Sequence, residues 1–242
     1  MNIICEWEHN GSDTLLHLRE YPGAYTRGKT LEEALHKVPE EVFRYQRWMS
    51  APCPDICKPV IARELSSSLD ISDADSDILL EGEGEPLSPE EYLRLKDAVL
   101  RSAVDFQTLY DSVPDKHIRI APERIGFYGL VPATAEQMYQ HTKNVNAYYF
   151  GEIGIEADNC GSIVDCRTRG FELLEQLPHY LDNCTIEGSF GEYWSLKKLM
   201  RRFLWHDRIH GKAMYRRSIV IFGSEAIVDV FSFGSDGTND NL

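Results

Sequence analysis

The stretch "LKKLMRRFLWHDRIHGKA" (residues 196–213) combines an apolar repeat, two histidines and many lysines and arginines. Its apolar and histidine positions follow one another at spacings of three and four residues: Leu196, Leu199, Phe203, His206, His210 and Ala213. This spacing is typical of one face of an α-helix, so we expect both histidines to point inward. Most of the basic residues lie off this face, and we expect them on the solvent side: Lys197, Lys198, Arg201, Arg202, Arg208 and Lys212.

Two inward histidines four residues apart can direct their ring nitrogens at one metal ion. A third histidine, His141, has a similar place in a second predicted helix, which begins with the capping pair Thr134 and Gln137. Buried imidazoles without a partner are costly, and a shared ion removes that cost. We therefore predict a divalent-metal site of His141, His206 and His210, with further coordination positions open to water or substrate.

The same periodicity predicts four helices between residues 88 and 217. The first begins at Ser88 and Pro89 and runs to about Val113. The third is predicted over 164–177, and the fourth ends near Arg217. The apolar stripe of the first helix has the spacing of a bundle seam: Leu95, Val99, Ser102, Phe106, Leu109 and Val113.

Residues 1–50 have the pattern of three strands and a helix. The Asn10–Gly11 turn predicts a hairpin between the first two strands. Thr30 and Glu33 form a capping-box pattern at the start of the helix, and Pro39 must kink or restart it. We expect an α+β protein, with a small β-β-β-α module followed by an up-down four-helix bundle.

Residues 51–87 are rich in proline, serine, glycine and acidic side chains, which is typical of a connector, here with short strands expected at "PVIARELSSSLDI" and "DILLEGE". The acidic run from Asp73 to Asp77 does not fit a calcium loop, because Ile78 and Gly84 stand where glycine and glutamate are required. We expect a solvated connector. The tail, residues 218–242, is β-branched and aromatic and predicts either a C-terminal strand or a segment that packs across the N-terminal sheet.

Composition narrows the classes of function. The net charge of −14 argues against broad nucleic-acid binding, and the acidic connector could cover the basic helix. No apolar run reaches the roughly 18 residues of a membrane span, and Glu6 and Glu8 interrupt the region where a signal peptide would be apolar. The six cysteines show no framework spacing, so we expect reduced thiols and a cytoplasmic protein.

The helical region, residues 88–217, resembles the DinB-like family of metal-binding four-helix bundles. The resemblance rests on one histidine in "MYQHTKNVNAYYFGEI" and two in "WHDRIHGKAMYR". It implies that His141, His206 and His210 bind a divalent ion, most commonly zinc or nickel. It also implies a metal-dependent transferase that uses a low-molecular-weight thiol such as bacillithiol or mycothiol, or a hydrolase.

The first fifty residues are similar to HicB-like antitoxin domains, in which a strand leads into a helix through a motif like "GKTLEEAL". No helix-turn-helix pattern follows it. The resemblance implies a partner-binding or regulatory module. The alternative to an enzyme is therefore a non-catalytic, metal-stabilised scaffold that carries such a module.

Three residues are candidates for catalysis beside the metal: Glu152, Asp207 and Tyr148. Asp207 follows His206 where zinc proteases of the H-E-x-x-H type have glutamate, and its shorter side chain argues against that protease class. The partners that we expect are a low-molecular-weight thiol or another small-molecule substrate and a second copy of the chain in a homodimer. We expect neither membrane nor nucleic-acid partners.

Overall fold

The computed structural model describes residues 1–73 and 75–234 and confirms a mixed α+β fold. The strands are β1 (Asn2–His9), β2 (Thr14–Leu18), β3 (Tyr25–Gly28), β4 (Lys58–Ser66), β5 (Ile125–Gly126), β6 (Gly129–Leu130), β7 (Ile186–Glu187) and β8 (Tyr193–Trp194). The helices are α1 (Leu31–His36), α2 (Val38–Trp48), α3 (Pro89–Ser112), α4 (Ala135–Gly151), α5 (Ile163–Leu174) and α6 (Leu196–Phe222). Within these described ranges, no helix is both long and apolar enough for a membrane span.

The N-terminal sheet has the strand order β3-β2-β1-β4. β1 and β2 pair antiparallel across the predicted Asn10–Gly11 turn, and β4 adds to β1 in parallel. The strand predicted at "PVIARELS" is thus confirmed. The strand predicted at "DILLEGE" is wrong, because the Ile78 carbonyl accepts a hydrogen bond from Arg201 of α6 at 2.9 Å instead of pairing with a strand.

The caps predicted from the sequence start the helices. Thr30 Oγ1 accepts the Glu33 backbone N–H at 3.2 Å, and Thr134 forms a complete capping box with Gln137. The chain restarts at Val38 with Pro39 in the first turn of α2, where a missing N–H costs nothing. Caps are local in sequence, which is why they could be predicted.

Helices α3 and α4 each pack against both α5 and α6. The whole predicted stripe of α3 is buried, from Leu95 to Val113. Helix α5 ends at Leu174, so the predicted end at residue 177 is wrong by three residues, and Leu177 lies beyond the helix with its side chain exposed.

The C-terminal strand predicted for residues 218–242 is not present in the part of the tail that the structure describes. Residues 218–222 continue α6, so the β-branched residues in this stretch are helical. Ser218 at its start is fully buried. The chain then folds back and buries Phe231 and Phe233 against Gly211 without pairing to a strand. The remainder of the predicted tail, 235–242, lies outside the described residues.

The sheet and the helices share one apolar core, which includes Leu16 of β2 and Phe203 of α6. The β2–β3 turn comes close to α6 at Gly23, which has a φ of +85°. A Cβ atom built there would lie 2.5 Å from Leu204 Cβ and 2.8 Å from the Trp205 backbone nitrogen. The hairpin therefore rests directly on α6.

The basic residues of α6 do not lie on the solvent side, and that expectation is wrong. Lys198, Arg201 and Arg208 are all at most 4% exposed. The reason is that carboxylates from elsewhere reach them: Glu192 lies 2.9 Å from Lys198, Glu83 accepts from Arg201 at 3.0 Å, and Glu41 accepts from Arg208 at 2.7 Å. The expectation of a solvated connector is correspondingly wrong for its second half, where Ser76, Ile78, Leu80, Glu83 and Leu87 are buried.

Replacement of Gly23 by alanine tests the contact between the sheet and α6. Gly11→Ala is the matched control, because Gly11 has nearly the same φ, +86°, and no heavy atom within 4 Å of the built Cβ. We expect Gly11→Ala to lower the free energy of unfolding by about 1 kcal/mol through backbone strain. Gly23→Ala should lower it by about 1–3 kcal/mol more through overpacking. Equal losses in urea denaturation would contradict the close contact.

Candidate metal centre

Helices α4 and α6 bring the three predicted histidines together. His206 and His210 lie one turn apart on α6, and His141 faces them from α4. We call these three residues the histidine cluster. Their ring centroids are 4.4–5.1 Å apart, so each imidazole contacts both of the others.

The ligand atoms of the histidine cluster converge. One ring nitrogen from each residue lies within 4.8 Å of the other two, close enough to bind one metal ion. The Nε2 atoms of His206 and His141 are 3.3 Å apart. Two nitrogens bound to a tetrahedral ion at about 2.0–2.1 Å lie about 3.4 Å apart, so this pair already has the separation that such an ion requires.

The imidazoles are held in the form that binds metals. Burial lowers the pKa of His206 well below its ordinary value, and the neighbouring His210, His141 and Arg202 lower it further. Burial also lowers the pKa of His210 and of His141. Neutral imidazoles keep a lone pair for a metal, and a metal bound by three of them offsets part of their desolvation.

The cluster is open on its remaining side. Among the residues that the structure describes, it contains no fourth histidine, cysteine or carboxylate, so three protein ligands leave coordination positions for water or a ligand. His206 Nδ1 is buried and has no hydrogen-bond partner within the same residues. The donor set fits an ion that binds nitrogen, and a structural site closed by four protein ligands does not match it.

A cavity of about 580 Å³ begins at the histidine cluster. Val145, Tyr148 and Tyr149 of α4 line one wall. Trp205 and Ile209 of α6 line the opposite wall. This volume lies within the range of small-molecule sites, so the open side of the cluster faces a space that can hold a ligand.

The catalytic candidates fall at three different places. Tyr148 lines the cavity, and burial raises the pKa of its hydroxyl, so it remains a proton donor at neutral pH. Glu152 is not on the cavity wall; its Oε2 accepts the Ser189 backbone N–H at 2.6 Å and so positions the β7–β8 turn. The structure therefore brings only Tyr148 to the same cavity as the histidines.

Asp207 is fully buried within the helices and is not on the cavity wall. Its Oδ2 lies 2.6 Å from Arg167 NH1 of α5 and accepts a hydrogen bond from Ser102 of α3 at 2.7 Å. Burial raises the pKa of Asp207, and Arg167 opposes that shift. Asp207 thus joins three helices behind the histidine cluster.

Several residues of the cavity could not be assigned from the sequence. The segment between α3 and α4 contains the β5–β6 hairpin, which brings the Tyr128 ring to 4.9 Å from the His141 ring. The acidic run of the connector lines the cavity through Asp73, Asp75 and Asp77. Its charge was visible in the sequence, but nothing in the sequence placed it opposite α4.

Comparison of the chain with protein-family models, with curated proteins and with solved structures finds no match.

Replacement of Asp207 by asparagine tests its structural position. The change leaves the buried Arg167 without a counter-charge, and we expect the free energy of unfolding to fall by about 3 kcal/mol. Metal stoichiometry should stay the same, because Asp207 is not part of the histidine cluster. Asp97→Asn, at an exposed position of α3, is the control and should change stability little. If Asp207→Asn is as stable as the wild-type protein in urea denaturation, the buried ion pair between Asp207 and Arg167 is contradicted.

Proposed function

We propose that this chain binds one divalent metal ion through His141, His206 and His210 and acts as a metal-dependent enzyme on a small molecule in the adjoining cavity. The observation that carries the proposal is the convergence of three neutral imidazoles at the edge of a 580 Å³ cavity. We further propose that α3 to α6 form a DinB-like up-down four-helix bundle. The packing of both α3 and α4 against α5 and α6, and the positions of the three histidines, support a four-helix arrangement of this kind.

Zinc or nickel is the proposed ion. Three imidazole nitrogens are borderline donors that suit zinc, nickel and copper, whereas magnesium and calcium prefer oxygen. When bound, the ion would act as a Lewis acid that lowers the pKa of a thiol or of water near pH 7.

The proposed reaction is thiol transfer or hydrolysis. In thiol transfer, a thiolate sulfur bonds to an electrophilic carbon, and the leaving group departs with its bonding electron pair. Tyr148 can supply a proton to that leaving group, because its hydroxyl stays protonated and lies on the cavity wall. Glu152 contributes indirectly by holding the β7–β8 turn, so it is a positioning residue.

The second candidate is a metal-stabilised scaffold with a HicB-like module at residues 1–50. The observation that favours it is the continuous core between the sheet and α6, through which metal binding would stabilise the N-terminal module. The open side of the histidine cluster favours the enzyme instead. All six cysteines are free thiols, which supports a cytoplasmic location.

Metal analysis tests the proposed centre. Protein loaded with zinc or nickel and then desalted should carry one ion per chain, measured by mass spectrometry of the metal. His206→Ala should abolish bound metal, because two imidazoles alone hold an ion weakly. His179→Ala, which removes an exposed imidazole, should leave it unchanged. Full metal content in His206→Ala would refute the assignment.

A reaction screen separates the enzyme from the scaffold. The protein is assayed with bacillithiol, mycothiol or glutathione and an epoxide, and separately with an alkyl ester, because the leaving oxygen of each substrate must take up a proton. For the enzyme we expect turnover that chelation abolishes and metal restores, with Tyr148→Phe reducing kcat while leaving bound metal unchanged. A chelation-dependent fall in Tm without any turnover in the screen would favour the scaffold.

A further inference from the structure

The cavity extends well beyond the histidine cluster. His141 and Tyr148 both line it and are seven residues apart on α4, which corresponds to about 10 Å along the helix axis. The histidines thus occupy one end, and most of the cavity remains for the body of a ligand. Aromatic and acidic side chains line that remaining part.

Exposed aromatic rings from two hairpin tips line the cavity. Phe127 and Tyr128 form the tip of the β5–β6 hairpin, and Phe190 forms the tip between β7 and β8. Phe190 is 97% exposed and has a φ of +62°, a conformation that costs a non-glycine residue about 1 kcal/mol. Covering a large exposed apolar ring with a ligand is favourable, because it removes apolar surface from water. We call these three residues the aromatic tips.

The connector side of the cavity is acidic. Asp73 is ion-paired with Arg124, and Glu192 with Lys198. Asp75 and Asp77 also line the cavity, and neither has an ion pair within residues 1–73 and 75–234. Burial raises the pKa of Asp75, which means that its carboxylate is partly desolvated without full compensation.

The one guanidinium on the wall is already engaged. Arg202 lies over the rings of Tyr149, Trp194 and Trp205 at 5.0–5.6 Å, and its NH1 donates to the Ser76 carbonyl. It therefore holds the connector against α6, and its charge opposes the burial that raises the pKa of Asp75, so it offsets that carboxylate only in part. Asp75 also accepts the Asp70 backbone N–H at 3.4 Å. A ligand with a positive group would offset the remaining negative charge of Asp75 and Asp77.

We propose that the cavity binds an organic amine, with its apolar body between the aromatic tips and its ammonium group against Asp75 and Asp77. Aromatic faces and carboxylates both attract ammonium groups, so the two sets of side chains favour the same charge. Asp75 and Asp77 would repel an anionic ligand. The proposal rests on the proposed function only in taking the histidine end as the reacting end.

Three probes of one shape and different charge test this inference. They are 1-naphthylmethylamine, 1-naphthalenemethanol and 1-naphthoate, titrated calorimetrically into the full chain, first metal-free and then zinc-loaded. In metal-free protein we expect the amine to bind about tenfold more tightly than the alcohol, and the acid most weakly. This ranking needs no variant, so it holds even if a substitution impairs folding.

Variants assign the charge preference to residues. Asp75→Asn/Asp77→Asn should remove the advantage of the amine and leave the affinity for the alcohol unchanged, which also shows that the cavity is intact. Phe190→Ala should weaken amine and alcohol by a similar factor, about fivefold. Asp55→Asn, an exposed carboxylate outside the cavity wall, is the control and should change neither.

The outcomes separate the two proposals. Equal or tighter binding of the alcohol or the acid to metal-free wild-type protein overturns the amine proposal, as does an amine advantage that survives Asp75→Asn/Asp77→Asn. Metal content is measured on the same samples. Wild-type protein that takes up no zinc overturns the proposed function, whereas the ranking in metal-free protein still decides on the amine.

Discussion

Helix α6 carries Lys198, Arg201 and Arg208 through the interior of the molecule, and a buried cation without a partner costs several kcal/mol. Each cation therefore requires a carboxylate from another element. Glu41 comes from α2, Glu83 from the connector and Glu192 from the β7–β8 turn. The placement of these three segments around α6 follows from the charge that the helix buries. It also explains why an acidic connector forms part of the core.

The same concentration of charge acts on the histidine cluster. Arg202 lies one turn before His206 on α6, and Arg167 approaches from α5; both lower the pKa of His206. Positive neighbours disfavour an imidazolium, so the buried imidazoles stay neutral. The pairing of Arg167 with Asp207 limits this repulsion, because the carboxylate offsets one guanidinium immediately behind the cluster. The site thus combines neutral nitrogen donors with a neighbouring guanidinium whose charge Asp207 offsets.

Local patterns were sufficient for part of this structure. Caps at Thr30, Ser88 and Thr134 involve groups three residues apart, and the spacing of His206 and His210 fixes their common face. The burial of the basic residues could not be predicted in the same way. Arg208 and its partner Glu41 are 167 residues apart in sequence, and nothing local distinguishes a paired arginine from a solvated one. The parallel pairing of β4 with β1 likewise joins segments that are far apart in the sequence.

Helix α4 shows why sequence periodicity alone does not locate a site. Met138 is buried, but His141 and Val145, which follow it at spacings of three and four residues, are only partly buried, and Tyr148 is more than a third exposed. The face of α4 that contacts α5 is the neighbouring one, where the Asn146 side chain donates to the Cys166 carbonyl at 3.1 Å. Periodicity identifies the apolar face of a helix. It does not tell whether that face packs in a core or lines a cavity. Because this face of α4 borders a cavity, its histidine remains within reach of an ion and of a small molecule, which supports a reactive centre over a purely structural one.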